Sequence, residues 1–119
     1  MKHIKTSNKK ECEIPCRFLD KGSVSIVVPC YNEEASISIF QNEIIKILTN
    51  IKDKINSNFE YEIIFIDDGS QDKTALEIRN VCNNYKTTHL IRYSRNFGRE
   101  AAILAGLRMA KTSRIVLMG

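Results

Sequence analysis

The stretch from Glu60 to Thr74 constrains the fold of this chain more than any other. Its apolar run, residues 63–66, holds four large side chains and passes directly into the adjacent carboxylates Asp67 and Asp68. An unbroken apolar run of this length is typical of a strand covered on both faces, the usual situation in a parallel sheet. Ligands of open α/β sheets bind beyond the carboxyl ends of the strands, so the two carboxylates lie where a ligand is expected.

The rest of the chain alternates between strand and helix patterns from Ser23 onwards. Strands are predicted at about 24–28, 61–67, 87–93 and 114–118, and helices at about 33–55, from 70–72 onwards, and at 99–110. Short connections between alternating elements predict right-handed crossovers and a parallel sheet with helices on both faces. With 119 residues, 43% of them hydrophobic, the chain is long enough for one domain.

The periodicity of each helix predicts which side chains are buried. In the first helix the predicted core face comprises Ile37, Phe40, Ile44, Ile47, Leu48, Ile51 and Ile55, and the predicted solvent side comprises Gln41, Lys46, Lys52 and Asp53. In the second helix the predicted core residues are Ala75, Leu76, Ile78, Val81 and Cys82, with Ser70 or Asp72 as its cap. The third helix is rich in Ala and Gly, which permits a close approach to the sheet.

Residues 1–22 are polar and basic and are predicted to form a disordered tail preceding a folded part at 23–119. The tail has six basic and three acidic residues, whereas the remainder has 12 and 11. The excess positive charge therefore belongs mostly to the tail and not to a nucleic-acid-binding face. The tail is either a solvated segment or weakly attracted to an anionic membrane surface.

The cysteines and the hydropathy pattern predict a cytoplasmic chain. Cys12, Cys16, Cys30 and Cys82 include no Cys-x-x-Cys pair and no histidine at zinc spacing, so we expect reduced thiols, with a Cys12–Cys16 redox or metal pair as the alternative. The first twenty residues lack the apolar region of a signal peptide, and no run approaches the roughly 20 apolar residues of a membrane span.

Polar residues follow three consecutive predicted strands, so three loops are expected to share one crevice. They are Pro29, Tyr31, Asn32 and Glu33 after the first strand, Asp67 to Asp72 after the second, and Ser94, Arg95, Asn96 and Gly98 after the third. Each loop by itself can merely turn the chain. The convergence of all three favours a binding site.

The loop sequences limit the chemistry of that site. The first loop has no Gly-x-Gly-x-x-Gly turn, which disfavours a dinucleotide pyrophosphate, and no Gly-Lys-Ser/Thr of a P-loop occurs. Asp67 and Asp68 can accept from a nucleobase imide or ribose hydroxyls, or help to hold a cation, but the spacing is not that of a calcium loop. Arg95 can bind two phosphate oxygens, or instead pair with Asp67 or Asp68.

Three ordered motifs resemble the inverting family 2 glycosyltransferases of GT-A fold. They are Val-Val-Pro-Cys-Tyr-Asn-Glu-Glu at 27–34, Ile-Asp-Asp-Gly-Ser-Gln-Asp-Lys-Thr at 66–74 and Ser-Arg-Asn-Phe-Gly-Arg-Glu-Ala-Ala at 94–102. The third motif is most similar to the polyprenyl-phosphate branch, which includes undecaprenyl-phosphate glycosyltransferases and dolichol-phosphate mannosyltransferases. The resemblance extends over residues 23–118 and implies the Rossmann-like, nucleotide-binding half of a GT-A domain.

The resemblance also implies a function and a set of site residues. A sugar, with glucose from UDP-glucose preferred, would pass from a nucleotide sugar to a polyprenyl phosphate at the cytoplasmic face of the membrane. The implied nucleotide-sugar-binding residues are Pro29, Tyr31, Asn32, Glu33, Asp67, Asp68, Arg95 and Gly98. The first five residues and Asp68 would hold the nucleoside, and the loop at 95–98 would lie by the diphosphate.

The sequence departs from the family pattern at Gly119, where an Asp-x-Asp motif that holds Mg²⁺ or Mn²⁺ would begin. We therefore expect a GT-A domain truncated after its fourth strand, with no catalytic or metal-ligating residue, which is inactive alone and self-associates through the face exposed by truncation. A non-catalytic α/β nucleotide-binding or regulatory module is the alternative. A Rossmann oxidoreductase is disfavoured by the missing glycine-rich turn.

Overall fold

The computed structural model describes residues 2–3, 22–112 and 114–119. Within them, five parallel strands form one sheet in the order β1–β5–β2–β3–β4, with three helices packed on it. The elements are β1 (Lys2–His3), β2 (Ser23–Cys30), α1 (Ile37–Lys54), β3 (Glu60–Asp67), α2 (Thr74–Asn84), β4 (Thr88–Arg92), α3 (Arg99–Met109) and β5 (Ile115–Leu117). The predicted parallel α/β architecture is confirmed.

The register of the central strands brings the first two loops to the same edge. β2 and β3 pair over eight residues, from Ser23 opposite Glu60 to Cys30 opposite Asp67. β4 continues the pairing on the far side of β3, with Arg92 opposite Asp67. The polar loops after β2, β3 and β4 therefore start at one level of the sheet.

The fourth predicted strand, β5, lies beside β2, and its short length explains how a central strand tolerates Pro29. The carbonyl of Val27 accepts from the Met118 amide on the β5 side, and that of Cys30 accepts from the Asp68 amide on the β3 side, both at 2.9 Å. Alternate residues of a strand face opposite neighbours, so Pro29 faces the β5 side, beyond the last β5 residue paired with β2. Its missing N–H costs no ladder hydrogen bond there.

A two-residue strand that the sequence pattern did not predict, β1, extends the sheet beyond β5. Lys2 and His3 pair in parallel with Val116 and Leu117. Residues 1, 4–21 and 113 lie outside the described part of the chain. The prediction of a disordered tail over residues 1–22 concerns those residues apart from Lys2, His3 and Gly22, which are described, and the prediction of a Cys12–Cys16 pair lies wholly outside the described part.

One face of the sheet is covered by α1 and α2, and the predictions for the side chains of Gln41 and Leu76 on these helices were wrong. Gln41, predicted to face solvent, is fully buried, and its Nε2 donates to Thr88 Oγ1 at 2.9 Å. The polar partner on β4 satisfies the amide nitrogen, whereas Oε1 of Gln41 has no hydrogen-bond partner among the described residues. Leu76, predicted to be buried, is 49% exposed, whereas its neighbours Ala75 and Ile78 reach the core.

Helix α1 is shorter than predicted at both ends. It begins at Ile37 and not near Glu33, because the Glu33 and Glu34 amides donate to Thr74 and Asp72 of the following loop. It ends at Lys54, and the prediction that Ile55 belongs to the core face was wrong, because Ile55 follows the helix and is 54% exposed. The residues between β2 and α1 are thus available to form a loop above the sheet.

The opposite face of the sheet is covered by α3, whose small residues allow the predicted close approach. Ala102 is fully buried, and a Cβ at Gly106 would lie 2.5 Å from Cγ1 of Val27 and 2.9 Å from Cδ1 of Ile66. Any larger side chain at Gly106 would push the helix off the sheet. This contact fixes the N-terminal end of α3 at the edge where the polar loops lie.

Candidate functional site

The loops after β2, β3 and β4 surround a cleft of about 240 Å³ at the carboxyl ends of the strands. Its lining comes from all three loops and from the first residue of α3. The lining residues are Pro29, Cys30, Tyr31, Glu33, Asp68, Asn96, Gly98 and Arg99. The predicted convergence of the three loops at one crevice is confirmed.

Reciprocal hydrogen bonds join the first loop to the second. The Asn32 amide donates to Ser70 Oγ at 2.8 Å, and the Gln71 amide donates to Asn32 Oδ1 at 2.9 Å. Asn32 has a φ of 52°, a left-handed conformation that asparagine tolerates better than most side chains. These contacts hold the backbone next to Tyr31, whose side chain is 43% exposed at the cleft.

Asp72 organises the start of α2. Its carboxylate accepts from the amide and the hydroxyl of Thr74 and from the Glu34 amide. Of the two predicted caps, Asp72 is therefore the one that bonds the first turn of α2, whereas Ser70 accepts from the Asn32 amide. Desolvation raises the pKa of Asp72, but the hydrogen bonds from Thr74 and Glu34 outweigh it and hold that pKa below its ordinary value.

Asp67 lies beneath the cleft. It is fully buried, and its Oδ1 accepts from the Ser70 amide at 3.0 Å. Its Oδ2 lies 3.5 Å from Nε of Arg92 and has no hydrogen-bond partner among the described residues. In this arrangement Asp67 supports the second loop from below and does not line the cleft.

Asp68 holds the third loop. Its Oδ1 accepts from the Phe97 amide at 2.9 Å and its Oδ2 from the Gly98 amide at 3.0 Å. Gly69 lets this loop come close, because a Cβ at Gly69 would lie 2.2 Å from the carbonyl carbon of Arg95. Gly69 also has a φ of 76°, so both its backbone conformation and its contact require glycine.

Arg95 does not line the cleft. Its guanidinium carbon lies 4.7 Å from the centroid of the Phe97 ring, in a cation–π contact. Phe97 in turn packs edge-to-face on Tyr93 at 5.3 Å between centroids. The cation beside Asp67 is Arg92, so among the described residues the alternative pairing of Arg95 with Asp67 or Asp68 is absent.

The thiol of Cys30 lies in the cleft wall but is not suited to nucleophilic chemistry. Burial, reinforced by the negative charges of Glu33 and Asp67, raises the pKa of the Cys30 thiol to about 12. A thiol is reactive as its thiolate, and this site disfavours the thiolate strongly. Cys30 is therefore part of the wall.

Five of the eight predicted binding residues line the cleft: Pro29, Tyr31, Glu33, Asp68 and Gly98. The other three, Asn32, Asp67 and Arg95, belong to the same loops but bond within them. Cys30, Asn96 and Arg99 line the cleft without having been predicted as binding residues. The adjacency of Arg99 to Gly98, at the start of α3, is the sequence signal that could have indicated it.

A metal site does not form in this part of the chain. Residues 2–3, 22–112 and 114–119 contain no group of three or more His, Cys, Asp or Glu side chains placed to hold a metal ion. The two acids that line the cleft, Glu33 and Asp68, do not amount to such a set. The described residues thus do not fit the divalent cation that the family resemblance implies.

A second cleft, of about 270 Å³, lies at the opposite, amino-terminal ends of the strands. At its base the buried Glu62 carboxylate accepts from Ser25 Oγ and from the Lys111 amide, each at 2.6 Å. His89 Nε2 lies 3.8 Å from the other oxygen of Glu62. The carboxylate therefore ties β2 and β3 to the connection between α3 and β5.

Residues 25–119, which include all three loops, match the family described as Glycosyl transferase family 2. The chain belongs to this family. It is 38% identical over 95 residues to the dolichyl-phosphate beta-glucosyltransferase ALG5D of Trichomonas vaginalis, a match over 80% of this chain and 28% of the relative. It is 36% identical over 97 residues to the undecaprenyl-phosphate 4-deoxy-4-formamido-L-arabinose transferase of Aeromonas hydrophila, again 80% of this chain and 28% of the relative.

The fold of this family 2 chain is also found in a solved structure. The mannosyltransferase PcManGT from Pyrobaculum calidifontis, in complex with GDP-Man and Mn²⁺, superposes with a TM-score of 0.60 at 23% identity, over 74% of this chain and 24% of that one. This likeness shows the GT-A fold. The chain thus spans less than a third of the length of these relatives, and none of its described helices is long and apolar enough to cross a membrane.

Proposed function

We propose that this chain is the nucleotide-sugar-binding part of a polyprenyl-phosphate glycosyltransferase, with glucose from UDP-glucose as the donor sugar. The observation that carries the proposal is the cleft at the carboxyl ends of three strands, lined by an exposed tyrosine, two acids and an arginine. Its position is the one at which α/β sheets bind ligands. Membership of family 2 supports the reaction class.

In this proposal the first two loops bind the nucleoside. Tyr31 offers a half-exposed ring on which a base can stack, and Glu33 and Asp68 offer carboxylate oxygens to an imide or to ribose hydroxyls. Asp67 and Asn32 act indirectly, because they hold Ser70 and Gln71. Pro29 and Gly98 shape the two walls, and the loop at 95–98 lies beside the diphosphate.

The chemical step would join the sugar to the lipid phosphate. A phosphate oxygen of the acceptor attacks the anomeric carbon, and the bond from that carbon to the diphosphate breaks, with inversion. The dolichyl-phosphate and undecaprenyl-phosphate relatives support a polyprenyl-phosphate acceptor, and we propose that the complete enzyme acts at the cytoplasmic face of a membrane. Mn²⁺ in the mannosyltransferase complex supports use of Mg²⁺ or Mn²⁺ by the complete enzyme.

Calorimetric titration of the chain with UDP, UDP-glucose, GDP and GDP-mannose tests the donor assignment. We expect binding of the uridine nucleotides, and at least tenfold weaker binding of the guanosine pair. Each titration is repeated with Mg²⁺ or Mn²⁺ and with EDTA. Binding of no nucleotide under any of these conditions would refute the proposal, and preference for GDP-mannose would replace the glucose assignment.

We also propose that the chain by itself transfers no sugar and self-associates. The described residues lack a metal-ligand set, and α3 exposes the apolar Leu104 and Met109, at 46% and 38%. Sugar transfer from UDP-glucose to a short polyprenyl phosphate would contradict the first part. A monomer by light scattering at high protein concentration would contradict the second.

A further inference from the structure

The charges in the cleft restrict where a diphosphate can bind. Its lining includes two acids, Glu33 and Asp68, and among the described lining residues a single cation, Arg99. The two amide donors on Asp68 offset its charge in part. Glu33, on the first loop, has no ion pair among the described residues. A diphosphate can bind in a cleft with more acidic than basic side chains only if a cation lies close to it.

The two arginines next to the cleft are oriented differently. The guanidinium of Arg95 is stacked on Phe97, which is 51% exposed, and does not contribute to the lining. Arg99 is the first residue of α3 and follows Gly98 in the lining. The sequence motif alone could not tell which of the two points inward.

The guanidinium of Arg99 reaches the place where β2 and β5 end. A Cβ built on Gly119 would lie 3.8 Å from Nη1 of Arg99 and 3.2 Å from the carbonyl oxygen of Pro29. The arginine therefore extends over the strand ends between the first loop and the residue after β5. A planar guanidinium there can present two parallel N–H donors to phosphate oxygens.

On the basis of the proposed function, we infer that Arg99, and not Arg95, binds the diphosphate of the nucleotide donor. Arg95 acts as a positioning residue that stiffens the third loop through Phe97. The Arg99 contact gives the cleft its preference for a nucleoside diphosphate over the bare nucleoside. It also divides the donor between two walls, with the base on Tyr31 and the diphosphate on Arg99.

The test compares UDP with uridine on the full chain and on Arg99→Gln, Arg99→Lys and Arg95→Gln. UDP affinities are measured by calorimetry and uridine affinities by NMR titration, at two salt concentrations. We expect Arg99→Gln to weaken UDP binding at least tenfold and uridine binding less than twofold, because only the charged contact is lost. Arg99→Lys should recover part of the UDP affinity, and Arg95→Gln should weaken UDP binding less than threefold.

Three results would overturn the inference while nucleotide binding itself persists: unchanged UDP affinity in Arg99→Gln, an equal loss for UDP and uridine, or a larger loss in Arg95→Gln. Arg99 is exposed, so the variant is expected to fold, and circular dichroism verifies this. If the unaltered chain binds neither UDP nor uridine, the proposed function fails, and the inference fails with it.

Discussion

The two ends of the sheet carry clefts of similar size, but the buried acids at the two ends have different roles. At the amino-terminal end, Glu62 uses one oxygen on Ser25 and on the Lys111 amide, so it fastens one connection of the chain to the sheet. At the carboxyl end, Asp67 and Asp68 hold two loops, and the loops leave Tyr31, Glu33 and Arg99 at the surface of the cleft. Cleft volumes of about 270 and 240 Å³ would not distinguish them.

The difference shows what identifies a binding site in this fold. A buried carboxylate by itself indicates a structural hydrogen bond at either end. A site also needs groups that remain available to a ligand, here the ring of Tyr31 and the carboxylate of Glu33 on the first loop, and the guanidinium of Arg99 at the start of α3. The comparison predicts that changes at the amino-terminal end act on stability alone, and that only changes at the carboxyl end, to the cleft-lining groups or to the loops that carry them, act on nucleotide binding.

The largest effect is expected for Glu62→Ala. It removes the acceptor of the Ser25 hydroxyl and of the Lys111 amide, which leaves the amide unpaired and Ser25 with Thr112 Oγ1 as its remaining side-chain partner, and should lower the free energy of unfolding by about 3 kcal/mol. Urea denaturation measures this loss, with the exposed Glu60→Ala as control, for which we expect a change within about 0.5 kcal/mol. If folded Glu62→Ala failed to bind UDP, the claim that the amino-terminal end acts only on stability would be contradicted.

The next effect concerns the contact between the second and third loops. Gly69→Ala adds a Cβ that meets the main chain of Arg95, whereas Gly22→Ala, also at positive φ, meets no described atom within 4 Å. We expect Gly69→Ala to lose about 2 kcal/mol more stability than Gly22→Ala, and to weaken UDP binding because the third loop is displaced. Equal losses of stability in urea denaturation would mean that the loops do not pack as described.

Tyr31→Ala should affect binding and not stability. Loss of a stacked base costs about 1.5 kcal/mol, so UDP affinity should fall about tenfold in calorimetry, while the urea midpoint stays unchanged because the side chain is half-exposed. Tyr31→Phe keeps the ring and serves as the matched control, with affinity expected within about twofold. Unchanged UDP binding in Tyr31→Ala would mean that the base does not stack on Tyr31.

The smallest effect is a pH dependence at the first turn of α2. Hydrogen bonds from Thr74 and Glu34 lower the pKa of Asp72 in the folded chain, so its contribution to stability is present above the ordinary aspartate pKa of about 3.9 and is lost as the pH falls through the folded value. Asp72→Asn should therefore be less stable than the unaltered chain at pH 6, and the gap should narrow at pH 3. The exposed Asp53→Asn, on α1, is the control. If Asp72→Asn and the unaltered chain differed in stability by the same amount at both pH values, the lowered pKa of Asp72 would be contradicted.

Patterns in the sequence were sufficient to predict the order of the strands and helices and the convergence of the three loops at one crevice. The apolar run before Asp67 and the spacing of strands and helices depend on local periodicity, which the fold preserves. Gln41 shows where periodicity fails, because its burial depends on a hydroxyl that β4 supplies 47 residues away. The late start of α1 has the same cause, since Thr74 and Asp72 bind the amides that precede it.

Within the site, sequence predicted the loops better than the individual side chains. Asp67 and Asp68 are adjacent, yet alternation along the strand end places one beneath the cleft and the other in its wall. Arg95 was expected to face a phosphate, but a nearby aromatic ring offers its guanidinium another contact. The orientation of each side chain depends on its neighbours in space, which a sequence motif does not specify.

Hydrogen exchange measured by mass spectrometry, with and without saturating UDP, tests the central claim most directly, because it reports on both ends of the sheet in one experiment. The account predicts that UDP slows exchange in peptides covering 29–34, 67–74 and 94–100, and leaves peptides covering 84–89 and 110–112 unchanged. Protection confined to the amino-terminal end, or spread evenly over both ends, would contradict it.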